Sequence, residues 1–216
     1  MTNQILETIV NNESCEIVRM FYTAFDHLLP ESLRESSKGA NGLRPAHLVT
    51  AIDAMNDWVY DTINNGVYRC GFATSQEAYE EAIYPLFASL DRLEEHLADP
   101  RYAGPFLFGE HITDADIRLY PTIIRFDIGY YILFKVNIKM IRHDYPRLYK
   151  WLRTLYWDQS ATTRAAFNQT TLFDRVSVRY NLILVVTQLI LLAVQIWLQE
   201  RHRGANHPSR TLAVDP

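Results

Sequence analysis

"ITDADIRLYPTIIRF", residues 112–126, sets the fold. Thr113 stands where a helix N-cap would, with Asp116 three positions on. That is a capping box with Asp in place of Glu, satisfying two backbone N–H groups reciprocally. Ile112 before the cap and Ile117 four positions into the helix supply a hydrophobic staple. The run beyond is apolar enough to predict a buried helix, and elements on either side must pack around it.

Working outward, the chain downstream predicts a further helix over roughly Gly129–Ile141, then "PRLYKWLRTLYW", with Pro146 at a helix start where its missing N–H is harmless. Upstream, Tyr79, Ile83, Leu86, Leu90, Leu93 and Leu97 recur at spacings of four and three, predicting an amphipathic helix over Ser75–Ala98. Pro85 inside it predicts a kink. "NNGVYRCGFAT", residues 64–74, reads as a loop. Leu48, Ile52, Met55, Val59 and Ile63 mark a helix over Ala46–Asn64. Residues 26–46 are polar with Pro and Gly and read as an inter-domain connection. Ahead of them, Glu7–Asn11 reads as one short strand. A helix starts near Ser14, its stripe made by Ile17, Val18, Phe21 and Phe25. No internal repeat is visible. The organisation is one strand and one helix, a linker, then about five helices: a mainly α chain.

Composition narrows the functional classes. The 216 residues are 48% hydrophobic and 21% charged, with a net charge of −4 and no long basic run, which argues against nucleic-acid binding. Two cysteines, Cys15 and Cys70, give no disulfide framework and point to a reducing, cytoplasmic setting. The seven histidines form no i, i+4 pair and no CxxC occurs, so no metal site is expected. The N-terminus lacks the basic and apolar runs of a secretory signal. Two sequons, at Asn12 and Asn168, read as chance.

Candidate chemistry begins at "NNES", residues 11–14. A helix N-terminus presents N–H groups and partial positive charge that hold a carboxylate. Ser14 adds a hydroxyl donor, and Glu13 beside it holds an ammonium group. Together they suit an amino-acid head group, such as the γ-glutamyl end of glutathione. Ordinary capping accounts for the same residues. By residue type alone, Tyr68 reads equally as a loop anchor, Tyr130 as one of thirteen tyrosines used as packing filler, and Cys70 as a small buried residue.

Four motifs occur in order: "TIVNNES" (8–14), "NNGVYRCGFATSQEAYE" (64–80), "ITDADIRLYPTIIRFD" (112–127) and "HDYPRLYKWLRTLYW" (143–157). Together they resemble the glutathione S-transferase superfamily, more narrowly its omega-like or xi branch, the glutathionyl-hydroquinone reductases. The resemblance covers about Glu7–Phe173. It implies a glutathione transferase C-terminal helical domain (46–175), preceded by a linker (27–45) and a remnant of a thioredoxin-like, glutathione-binding domain (1–26). It implies glutathione as co-substrate, a quinone-type or other electrophilic small molecule as partner, and a homodimer in the intact family. A cysteine thiolate would attack the thioether sulfur of a glutathionyl-hydroquinone and release the hydroquinone; a second glutathione would free the enzyme. Glu13 and Ser14 match the γ-glutamyl site. Tyr68 and Tyr130 match the two tyrosines whose hydroxyls face the quinol oxygen.

Two departures accompany the resemblance. The family's cysteine-bearing "CPW" motif and the cis-proline turn that grips glutathione have no counterpart here. Cys15 follows the γ-glutamyl serine on a different helix and does not replace the nucleophile, so the expectation is an N-terminally truncated form, inactive alone. The tail (176–216) is also atypical. "FDRVSVRY" and "RHRGANHPSRTLAVDP" both resemble family sequence, but between them Asn181–Leu198 runs 18 residues without a charge. Three readings stay open for 181–198: a membrane anchor with "ERHR" as its basic flank, a buried or dimer-forming helix, or read-through of an intervening sequence. The alternative function is a non-catalytic helical interaction or scaffold domain of transferase type, with or without a membrane tether in that tail.

Overall fold

The helix at Asp114–Arg125 (α5) begins where the capping box places it, with both reciprocal hydrogen bonds formed. Around it, in a computed structural model that describes residues 2–3, 8–9 and 11–174, the chain is helical. Helix α1 spans Ser14–Thr23, α2 Val49–Val59, α3 Gly66–Phe72 and α4 Gln76–His96. Beyond α5 lie α6 (Tyr131–Leu133), α7 (Ile141–Asp144), α8 (Pro146–Trp157) and α9 (Ala166–Thr170). Single π-helical turns continue α2 over Tyr60–Asn64 and α5 over Phe126–Tyr130. The strands are two residues each: β1 (Thr2–Asn3) pairs antiparallel with β2 (Thr8–Ile9).

The core lies where α2, α4, α5 and α8 meet. Ile52, Leu86, Leu90, Leu93, Leu119, Phe126 and Leu155 are completely buried there. The four-and-three spacing of α4 is realised, and that helix runs through Pro85 with Ser75 accepting from the Ala78 N–H at 3.1 Å as its cap. Pro146 opens α8 as expected.

Three expectations need correction, and two further features were left open by the sequence. Residues 66–72 are a helix, not a loop: Gly66, Val67 and Cys70 are buried at helical spacing, and Gly66 lies under Leu86, where a Cβ would come within 3.3 Å of its Cδ1. The helix foreseen over Gly129–Ile141 stops at Leu133, because Lys135 adopts a left-handed φ of +56° and the chain turns. Ser14 is not the cap of α1. Glu13 occupies that position without a side-chain cap bond, its N–H donating to Asn11 Oδ1 at 2.8 Å. The apolar stripe of α1 is not buried; Phe21 and Phe25 are 57% and 40% exposed. The connection over 26–46 is folded. It forms short 3-10 turns tied by Asp26, whose carboxylate accepts from the N–H groups of Glu35 (2.6 Å) and Ser36 (3.1 Å). Residues 181–198 lie outside the described residues; among those described, no helix is long and apolar enough to cross a membrane.

Candidate functional site

The two ends of α5 are built differently. At its first turn sit two carboxylates, Asp114 and Asp116, both completely buried. Asp116 meets neutral donors: the N–H and Oγ1 of Thr113 at 2.8 Å each, the Leu107 N–H at 3.0 Å and Trp151 Nε1 at 2.8 Å. Burial pushes its carboxyl above the usual range and these four donors pull it back. Asp114 meets cations. Arg118 Nε lies 3.0 Å away and Arg44 3.2 Å; Asn56 Nδ2 donates at 2.9 Å and the Tyr22 hydroxyl at 2.9 Å. Desolvation and the neighbouring Asp114 hold the Tyr22 phenol in its protonated form. Arg44 also forks onto Asp53 at 2.8 and 2.9 Å, which lowers the Asp53 carboxyl, and Arg19 of α1 reaches Asp53 at 3.1 Å. This network joins α1 and the 26–46 connection to α2 and α5.

At the other end, the π-turn brings Tyr130 to α3. The hydroxyls of Tyr68 and Tyr130 are 3.1 Å apart, and their rings meet edge-on with centroids at 5.6 Å. Tyr130 is 1% exposed and Tyr68 43%, so the pair has a fixed inner member and an accessible outer one. Either hydroxyl can be the donor; in the arrangement where Tyr130 donates to Tyr68, the outer hydroxyl keeps its proton for a ligand oxygen. Phe134 closes the cluster, stacked on Tyr130 at 5.4 Å and tilted against Tyr68 at 5.6 Å and Phe72 at 5.7 Å. The sequence reading missed Phe134. Its signal was an aromatic four residues after Tyr130, inside the stretch expected to be helical over Gly129–Ile141.

Glu13 lies apart from the tyrosine pair. It lines a cleft of about 330 Å³ with Cys15, Arg19, Asn56, Asp57, Tyr60 and Arg118; neither Tyr68 nor Tyr130 lines that cleft. Ser14, the first residue of α1, is exposed and outside the lining. Cys15 is half-buried beside Glu13, and its carbonyl accepts from Arg118 at 3.1 Å. Cys70 is buried on the inner face of α3, and desolvation pushes its thiol up to about 11, leaving it un-ionised at neutral pH.

Residues 76–154 match the family described as "Glutathione S-transferase, C-terminal domain". The omega-like glutathione S-transferase 2 of Schizosaccharomyces pombe is 49% identical over 174 residues, covering 81% of this chain and 52% of that protein. A glutathionyl-hydroquinone reductase of Escherichia coli is 51% identical over 149 residues, covering 69% of this chain and 42% of its own length. The xi glutathione transferase of Saccharomyces cerevisiae, solved in complex with glutathione, superimposes with a TM-score of 0.71 at 40% identity, over 83% of this chain and 55% of that one. By these matches the chain is similar to the omega-like and xi branch of the glutathione S-transferase superfamily, and its residues 76–154 carry that superfamily's C-terminal domain. It spans about half the length of the curated relatives it matches.

Proposed function

We propose that this chain carries the acceptor-binding half of a glutathione-dependent reductase of glutathionyl-hydroquinones. The observation that carries the reading is the 3.1 Å approach of the Tyr68 and Tyr130 hydroxyls across two helices. A hydroquinone thioether presents a ring oxygen next to the carbon bearing sulfur. In the keto tautomer of the thioether the carbon bearing sulfur is tetrahedral; when a thiolate attacks that sulfur, an S–S bond forms, the C–S bond breaks, and its electron pair passes through the ring onto the adjacent oxygen. The quinolate oxygen that results carries the negative charge and takes up a proton to give the hydroquinone. An O–H donor held at that oxygen stabilises the charge, and the exposed Tyr68 backed by the buried Tyr130 supplies one.

The glutathione end of the substrate is assigned to the cleft at Glu13 and the start of α1. The Glu13 carboxylate would take the γ-glutamyl ammonium and the first-turn N–H groups with Ser14 its carboxylate. Neither cysteine here serves as the attacking thiol: Cys70 is buried and un-ionised, and Cys15 stands beside the carboxylate that takes the ammonium. The chain alone is therefore proposed to be inactive.

The test is turnover of a glutathionyl-hydroquinone by this chain alone and by a fusion with the portion of the Schizosaccharomyces pombe relative outside the match. Turnover by the fusion and none by the chain alone is expected. Turnover by the chain alone would show that the missing-thiol argument is wrong.

A further inference from the structure

We infer that Phe134 is the residue that selects an aromatic acceptor, and that Gly71, Tyr79 and Lys135 serve to hold its ring in place. This rests on the acceptor site proposed above and adds its selectivity. Three separate devices converge on this one side chain. The first is Gly71, near the end of α3. A Cβ there would overlap the Phe134 ring, so α3 approaches the ring only because position 71 carries no side chain. Glycine inside a helix is otherwise unfavourable relative to alanine. The second is the backbone directly after the ring. Lys135 holds a φ of +56°, a conformation that L side chains rarely adopt, so the chain leaves the ring by a strained turn. The third is Tyr79 of α4, whose hydroxyl donates to the Lys135 carbonyl at 2.5 Å and fixes that turn. The N–H groups of Phe134 and Val136 both donate to the Tyr130 carbonyl, at 3.0 and 3.3 Å, tying the same turn to the hydroxyl pair.

The ring so held is not a core residue. It is only partly covered, and beside it Phe72 is 73% exposed. Strain and a helix glycine placed to fix a half-open ring fit recognition better than packing. Phe134 is in contact with both tyrosines, so a planar aromatic resting against it would carry its ring oxygen toward Tyr68. The class selected is therefore flat phenols and quinols, against saturated rings of the same size.

The experiment uses 1-naphthol and its saturated counterpart decahydro-1-naphthol, with binding to the full chain followed by saturation-transfer NMR. Wild type should prefer 1-naphthol. Phe134→Ala should weaken 1-naphthol at least fivefold and leave the saturated alcohol within twofold. Phe134→Trp should restore the preference. Gly71→Ala should reproduce the loss by displacing the ring, and far-ultraviolet circular dichroism would confirm that α3 persists. Tyr79→Phe should lower the preference less, since it frees the turn without removing the ring. The inference is overturned if wild type does not discriminate, or if Phe134→Ala leaves 1-naphthol within twofold. Tyr68→Phe and Tyr130→Phe in the fusion enzyme separate the two readings: if they leave glutathionyl-hydroquinone turnover unchanged while Phe134→Ala weakens 1-naphthol binding, the hydroxyl-pair function fails and the selectivity of Phe134 stands.

Discussion

The first and last turns of the stretch from Thr113 to Tyr130 are one helix apart and do opposite work. The first turn is closed: two buried carboxylates, each with several donors, and no solvent. The last turn is a π-helical turn that presents one buried hydroxyl to a half-exposed partner on another helix. Regular α geometry with full capping fixes the body; the irregular turn redirects a side chain toward Tyr68 on another helix, where the proposed acceptor would lie. The difference teaches that stability and chemistry are separable here along a single helix, so substitutions at either end should report on one property and spare the other.

The largest effect is expected from Asp116→Ala. It strands the Trp151 indole, the Leu107 N–H and both Thr113 donors in the core, a loss of roughly 3–5 kcal/mol measurable by denaturant unfolding. In the fusion enzyme, its surviving folded fraction should turn over normally. At the other end, Tyr68→Phe or Tyr130→Phe should lower glutathionyl-hydroquinone turnover about 100-fold, roughly 2.7 kcal/mol in the barrier, with unfolding midpoints nearly unchanged. If either variant unfolds the protein instead, the separation between the two ends is broken. Asp114→Ala should cost about 2 kcal/mol, less than Asp116→Ala, because Arg44 and Arg118 retain some access to water. Its specific signature is faster trypsin cleavage at Arg19, as α1 loses its tie to the body.

The smallest effect is a pH dependence that belongs to the body alone. His96 packs on Tyr102 at 4.6 Å with Nε2 2.7 Å from the Leu107 carbonyl, and burial lowers its pKa below the ordinary 6.5. A folded pKa below the unfolded one means that the unfolded chain binds the extra proton first. The stability from neutral His96 is therefore complete above about 6.5 and declines as the pH falls below it. The unfolding midpoint should drop modestly between pH 7 and 5, and His96→Asn should flatten that slope.

Much of the body was legible because its signals are local. Thr113 and Asp116 are three residues apart, and the α4 stripe repeats within one helix. The Asp114 network was not legible: Tyr22, Arg44 and Asn56 lie 92, 70 and 58 positions away, and nothing near Asp114 announces them. Helix α3 was missed for a different reason. Its glycines look like turn punctuation, but Gly66 and Gly71 serve close packing against Leu86 and Phe134. Tyr68 and Tyr130 were singled out by motif resemblance and not by periodicity. Their approach depends on the π-turn, which leaves no sequence period of its own. The start of α1 at Ser14 was legible, but its cap lies one position earlier, at Glu13.

A double-mutant cycle on Tyr68 and Tyr130, read as glutathionyl-hydroquinone turnover in the fusion enzyme, tests the central claim most directly. If the two hydroxyls act as one donor, each single Phe variant loses nearly as much as the double variant, and the losses do not add. Single variants that keep wild-type turnover, or losses that simply sum, would contradict a shared hydroxyl pair at the acceptor.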